Sequence, residues 1–150
     1  MLTAEERTVL ETARVGRLAT ADADGRPHVF PICFALIEPD DRPVLVTPVD
    51  EKPKAADPTE LRRVRDIRSN GAVALVIDHY TEDWERLGWL QLRGTAAVLE
   101  PTDQRHATAV SALRDRYPQY ADHRLEDRPV IEIRLGSVRS WGDLQAFTDR

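Results

Sequence analysis

Apolar positions near the start of the chain fall at helical spacing. Val9, Leu10 and Ala13 follow Thr3 and Glu6, which stand three residues apart as a capping box requires, so residues 4–13 are predicted to form a short helix that Gly16 ends. From Arg17 to Ala21 the pattern changes to strand-like alternation. Ala-Asp-Ala-Asp-Gly at 21–25 then reads as a turn into a second apolar run from His28 to Ile37, which together predict a β-hairpin. In the second run Phe30, Ile32, Phe34 and Leu36 share one face and Val29, Pro31, Cys33 and Ala35 the other. A strand apolar on both faces suits a barrel wall or a subunit interface.

After a turn at Glu38 to Arg42, Pro43 to Thr47 is a third strand that ends at Thr47-Pro48. Asp57, Pro58 and Glu60 occupy the N-cap, first-turn proline and capping-box positions of a helix running through Leu61, Val64 and Ile67 to Asn70-Gly71. Ala72 to Asp78 is a continuous apolar strand, Thr81 to Leu87 a polar helical excursion, and Trp89 to Leu99 a long alternating strand. Pro101 and Thr102 open a third helix to about Arg116, and a loop from Tyr117 leads to a last strand from Val130 to about Trp141. Short turns joining the first three strands predict a mainly β (α+β) fold, a six-stranded antiparallel barrel with helices at its ends and seams. No Gly-rich loop lies between a strand and a helix, which argues against a Rossmann dinucleotide site or a P-loop.

Composition narrows the function classes. A chain of 150 residues predicts one domain, 1–150, and a net charge of −5 argues against a duplex nucleic-acid binder held by phosphate neutralisation. The single cysteine, Cys33, excludes an intramolecular disulfide framework and fits a reducing compartment. No window approaches the roughly 18 apolar residues of a membrane span, and MLTAEERTVLE lacks the apolar core of a signal peptide. The expectation is a cytoplasmic protein with no membrane partner.

The 21 cations divide unevenly: 19 are arginines, and the only lysines, Lys52 and Lys54, stand two residues apart in the loop after the third strand. From Lys52 to Arg68 six cations face three carboxylates. A compact ammonium charge repeated in a chain that otherwise uses arginine points to a phosphate group as its ligand. Trp89 and Trp141 lie near strand ends where they could stack on a flat ligand, and Trp84 sits in the polar excursion as a candidate lid or dimer cap. His28, His79, His106 and His123 show no metal-ligand spacing, so no metal is expected. His28 and Cys33 fall on opposite strand faces, which argues against a Cys-His nucleophile there.

Taken in order, Gly16-Arg-Leu-Ala-Thr20, Asp24-Gly25-Arg26-Pro27-His28-Val29-Phe30-Pro31, Val44-Leu-Val-Thr47 with Lys52-Pro-Lys54, Val73-Ala-Leu-Val76 and Arg93-Gly94-Thr95-Ala96 resemble the pyridoxamine 5′-phosphate oxidase-like split β-barrel family. Asp78-His79-Tyr80, Asp83-Trp84 and Val138-Arg-Ser-Trp141 resemble its branch that uses the deazaflavin coenzyme F-420. The resemblance covers nearly the whole chain. It implies a flavin-binding six-stranded split barrel that forms a homodimer, with two cofactor sites at the interface lined by both subunits. It further implies that Phe30, Pro31 and Ile32 run along the ring system, that Thr47 and Pro48 approach the ring and ribityl chain, and that Lys52 and Lys54 grip the phosphate. Phe30 stands where the vitamin-processing oxidases carry an arginine, which turns the reading from pyridoxamine phosphate oxidation toward hydride transfer between coenzyme F-420 and a small organic substrate. The alternatives are an FMN oxidoreductase and a non-catalytic cofactor- or haem-binding barrel. No catalytic acid is identified.

Overall fold

The computed structural model describes residues 2–49 and 61–148. Helix α1 (Ala4–Thr12) forms as its capping box dictates: the Glu6 backbone N–H donates to the Thr3 hydroxyl at 3.0 Å, and the Thr3 N–H donates back to the Glu6 carboxylate at 3.0 Å. Its apolar stripe is complete, since Val9 and Leu10 are fully buried. At its C-terminal end Arg116 donates to the carbonyls of Leu10 and Ala13, a guanidinium serving the carbonyls that a helix leaves unpaired.

Seven strands follow, one more than expected: β1 (Gly16–Ala21), β2 (Pro27–Ile32), β3 (Ala35–Ile37), β4 (Val44–Pro48), β5 (Ala72–His79), β6 (Gly88–Leu99) and β7 (Val130–Gly142). The run from His28 to Ile37 breaks at Cys33 and Phe34. There Phe34 turns fully into the core, and its backbone groups bond the hydroxyl of Tyr117. The resulting sheet has the order β2-β1-β5-β6-β7-β4-β3, with every neighbouring pair antiparallel.

The sheet is therefore open in its hydrogen bonding, where a closed six-stranded barrel was expected. Its two edges, β2 and β3, are nevertheless consecutive in the chain with only Cys33 and Phe34 between them. Three Cα steps reach at most about 11 Å, so the sheet curls until its edges meet across a seam bridged by the backbone.

Two further helices cover this sheet. Helix α2 (Arg62–Ser69) begins with Leu61 as N-cap and without a side-chain cap; the sequence pattern predicts a cap at Asp57. Residues 57–60 themselves lie outside the described residues. Helix α3 (Gln104–Arg116) is capped by Asp103, whose carboxylate accepts from the Arg105 N–H at 2.9 Å, and it begins three residues after Pro101, where the sequence pattern opens it. The excursion at 81–87 contains only a 3-10 turn at Trp84–Arg86.

The apolar residues sort into two clusters. One fills the curl of the sheet with Leu18, Phe34, Leu45, Leu90 and Leu92 under α1 and α2; the other joins Val44, Val46, Leu99 and Val130 to α3. Strand β4 serves both and is buried on both faces, the role the sequence pattern assigned to β2. Strand β2 instead leaves alternate residues exposed, with Val29 at 65%. Among the described residues no helix is long and apolar enough to cross a membrane.

Candidate functional site

Directly paired residues on neighbouring antiparallel strands share a face. The register therefore sets Asp78, Trp89 and Trp141 in one row across β5, β6 and β7. Pro31, Arg17, Val76, Gln91 and Arg139 form the adjacent row from β2 to β7. This is the outward face of the sheet. Trp141 is 52% exposed and Trp89 is half-buried beside it.

A groove of about 440 Å³ opens on this face, lined by Arg17, Val76, Asp78, Trp89 and Gln91. Arg17 donates to the Asp78 carboxylate across it at 3.2 Å. The groove thus offers an indole surface, an amide with both a donor and an acceptor, and one ion pair, which is the mixture of flat apolar wall and few polar groups typical of small-molecule sites.

The strand ends hold the tryptophans in place. Gly142 has φ +84°, and a Cβ there would lie 2.1 Å from the Leu87 carbonyl oxygen. Only glycine permits this approach. The next residue, Asp143, donates its N–H to the same carbonyl at 2.8 Å, closing the β6–β7 ladder two residues beyond Trp141. Tyr80 and Trp84 add two exposed rings near this end of the sheet, with the indole N–H of Trp84 donating to the Tyr80 hydroxyl at 3.5 Å. At the other side of the row, Gly94 faces a bulge at Gly136; a Cβ at Gly94 would meet the Arg134 carbonyl at 2.2 Å.

The residues singled out in the sequence are not gathered into one pocket. Pro31, Trp89 and Trp141 share the outward face. Phe30 and Ile32 point to the opposite face, where the Phe30 ring lies 5.7 Å from the Arg63 guanidinium and Ile32 joins the core. Thr47 and Pro48 are buried in β4, paired with Ile131 and Val130. Lys52 and Lys54 lie outside the described residues. Their segment leaves β4 at the fully buried Val49, whose N–H donates to the Pro129 carbonyl at 3.2 Å, and the described chain resumes at Leu61.

A second constellation escapes sequence reasoning entirely. Asp66, only 2% exposed, accepts from the Thr20 hydroxyl at 2.7 Å and contacts Nδ1 of His28 at 2.9 Å; Nε2 of the same ring faces an Arg62 N–H at 2.5 Å. The simplest assignment of the protons has Nδ1–H donating to Asp66 and Nε2 accepting from Arg62. His28 and Asp66 are 38 residues apart, so no local motif announces the pair. The nearby Asp22 is held below the ordinary carboxylate range, first by the Arg26 backbone N–H and then by the Asp24 N–H and the Arg26 and His28 charges, with burial opposing.

The antiparallel sheet belongs to a known class. Residues 2–142 match the pyridoxamine 5′-phosphate oxidase family, and the chain is a member of it. Over 141 residues, 93% of this chain and 82% of the relative, it is 30% identical to the 5a,11a-dehydrotetracycline/5a,11a-dehydrooxytetracycline reductase of Streptomyces rimosus. Among solved structures it is similar to an F420 reductase, with 27% identity and a TM-score of 0.60 over 89% of this chain and 94% of the other. It is also similar to HutZ, a haem storage protein from Vibrio cholerae, with 16% identity and a TM-score of 0.67 over 95% of both chains. That last likeness concerns the fold alone.

Proposed function

We propose that this chain is a reductase that uses coenzyme F-420 to transfer hydride to or from a small organic substrate. The observation that carries the reading is the open groove lined by Trp89, Gln91 and the Arg17–Asp78 pair, with Trp141 paired to Trp89 on the same sheet face. Membership of an oxidoreductase family and the likeness to two reductases support it. The residues present fit a flat tricyclic cofactor, since the indoles give it a stacking surface and Gln91 supplies both hydrogen-bond types to a ring edge that carries both.

When bound, a deazaflavin supplies the hydride from its ring carbon, and the protein's share is binding and orientation. Trp89 and Trp141 would give its ring a stacking surface. Gln91 would hydrogen-bond the ring edge, and Arg17, paired with Asp78, would place a positive charge at the groove edge. Lys52 and Lys54 would hold the phosphate, as the family resemblance implies.

The outward face also supports a homodimer. Val29, Pro31, Trp141 and Trp84 are exposed on one molecule, and a second copy laid on this face would exclude water from the groove. FMN is the alternative cofactor. Reduced coenzyme F-420 mixed with the protein and a panel of quinones and enones tests the activity: protein-dependent return of oxidised-coenzyme absorbance is expected. Binding of haem or FMN without turnover on any of these would contradict it.

A further inference from the structure

A cleft of about 630 Å³ opens between the β3–β4 turn, the first half of β7 and the start of α3, and it shares no residue with the aromatic groove. Its charged lining comes from three elements: Asp40, Asp41 and Arg42 from the turn, Glu132 and Arg134 from β7, and Arg105 from α3. The register explains the convergence. Val44 and Val46 of β4 pair with Arg134 and Glu132, two positions apart on each strand, so both charged side chains share one sheet face and Arg105 reaches it from α3. Left-handed backbone at Asp40 (φ +55°) and Asp41 (φ +61°) folds the turn tightly, and Arg42 follows at the rim.

Glu132 is the unusual member. It is only 2% exposed, and a carboxylate that deep needs donors at both oxygens. Oε1 is served twice, by an Arg105 N–H at 2.8 Å and by the Arg134 guanidinium, whose Nε lies 3.7 Å away. Among the described residues nothing donates to Oε2, although that oxygen is not sealed in the interior. Arg42 is unmet in the opposite sense, since among the described residues its side chain reaches no carboxylate.

Three carboxylates and three guanidiniums leave this lining without net charge, so a simple ion of either sign gains little from its field. A molecule carrying both signs gains at both ends. Its cationic donor meets Oε2 of Glu132 and the charges of Asp40 and Asp41, and its carboxylate meets the fork of N–H groups that Arg42 offers. Pro39, Pro43 and Leu135 add apolar wall to the same cleft, whose volume suits a small molecule.

We infer that this cleft binds a free α-amino acid with an apolar side chain, its ammonium on Glu132 Oε2 and its carboxylate on Arg42. Arg105 and Arg134 fix the orientation of the Glu132 carboxylate. The ligand's side chain lies against Pro39, Pro43 and Leu135. The inference goes beyond the cofactor reading and does not depend on it: it uses no residue of the aromatic groove, and its test needs neither cofactor nor turnover.

Leucine is the probe, titrated calorimetrically into the full chain, with leucinamide and 4-methylpentanoate as analogues that lack its carboxylate and its ammonium. Saturable binding of leucine is expected, with each analogue weaker by about tenfold or more, the loss of one charge-assisted contact. Arg42 is exposed, so Arg42→Gln should keep the unfolding midpoint while weakening leucine, but not leucinamide, by about tenfold. Glu132→Gln should weaken leucine but not 4-methylpentanoate. In the wild-type protein the backbone amide resonances of Arg42, Val44, Glu132 and Arg134 should shift with leucine while those of Trp89 and Gln91 stay in place. Absence of leucine binding would show that solvent alone serves Oε2 and would overturn the inference, as would leucine binding no tighter than 4-methylpentanoate or wild-type leucine affinity in Arg42→Gln.

Discussion

The hydroxyl of Tyr117 accepts the backbone N–H of Phe34 at 3.1 Å and stands 3.0 Å from the carbonyl oxygen of the same residue. It also lies 3.0 Å from the Arg14 carbonyl, while the ring is stacked by the guanidiniums of Arg14 and Arg116. One side chain from the end of α3 therefore replaces the ladder that β2 and β3 lack where the sheet's two edges meet. Tyr117→Phe removes that hydroxyl and leaves buried backbone groups of Phe34 unpaired. A loss of about 1–3 kcal/mol is expected, read from urea unfolding; an unchanged midpoint would show that the seam holds without it.

Burial pushes the Tyr117 phenol above its ordinary value of 10.0, partly offset by its bond to Phe34 and the Arg116 charge. A group whose folded pKa is raised holds its proton more tightly in the folded chain. Its contribution is complete below pH 10 and declines as pH rises through the folded value. The wild-type protein should lose stability above pH 10 more steeply than Tyr117→Phe. Parallel alkaline limbs for the two proteins would contradict this.

Gly142 is the backbone device that sets Trp141. Its φ of +84° and the 2.1 Å approach of a Cβ to the Leu87 carbonyl leave no room for a side chain. Gly142→Ala should destabilise by more than the 1–2 kcal/mol typical of a left-handed residue alone, because backbone must also move. Tryptophan emission should shift with it, since the indole beside Trp89 is displaced. Wild-type stability and emission together would show that the strand end adapts freely.

Much of the fold was legible because its signals are local. The Thr3–Glu6 capping box, the alternation in β6 and the turn at 21–25 each depend on residues within a few positions of one another. The break at Cys33-Phe34 was not legible, for it depends on Tyr117 some 83 residues away. The burial of β4 on both faces likewise comes from α3, which sequence places nowhere near it. The site divides in the same way. Trp89 and Trp141 were singled out as strand-end aromatics, but their pairing required the β6–β7 register. The Thr20–Asp66–His28–Arg62 chain joins three segments and left no mark in any one of them.

Trp141 should matter more to binding than to stability, being half exposed. Trp141→Ala is expected to weaken cofactor binding by about 0.5–1.5 kcal/mol through lost stacking, with little change in the unfolding midpoint. A large stability loss with unaltered affinity would make the indole a structural residue.

Lys54 carries the phosphate assignment. Lys54→Ala should weaken cofactor binding by about 1.5–3 kcal/mol, the range for a charge-assisted contact, and Lys52→Ala should act in the same direction. Unchanged affinity in Lys54→Ala would remove that residue from the site. Light scattering adds the assembly: twice the 17.0 kDa chain mass is expected, and a clean monomer would contradict a site shared between copies.

The most direct measurement is equilibrium titration of the purified protein with coenzyme F-420 and, separately, with FMN, followed by the fluorescence of each cofactor. The account predicts saturable, tight binding of the deazaflavin that weakens in both Trp141→Ala and Lys54→Ala. Tight binding of FMN with none of the deazaflavin would contradict it.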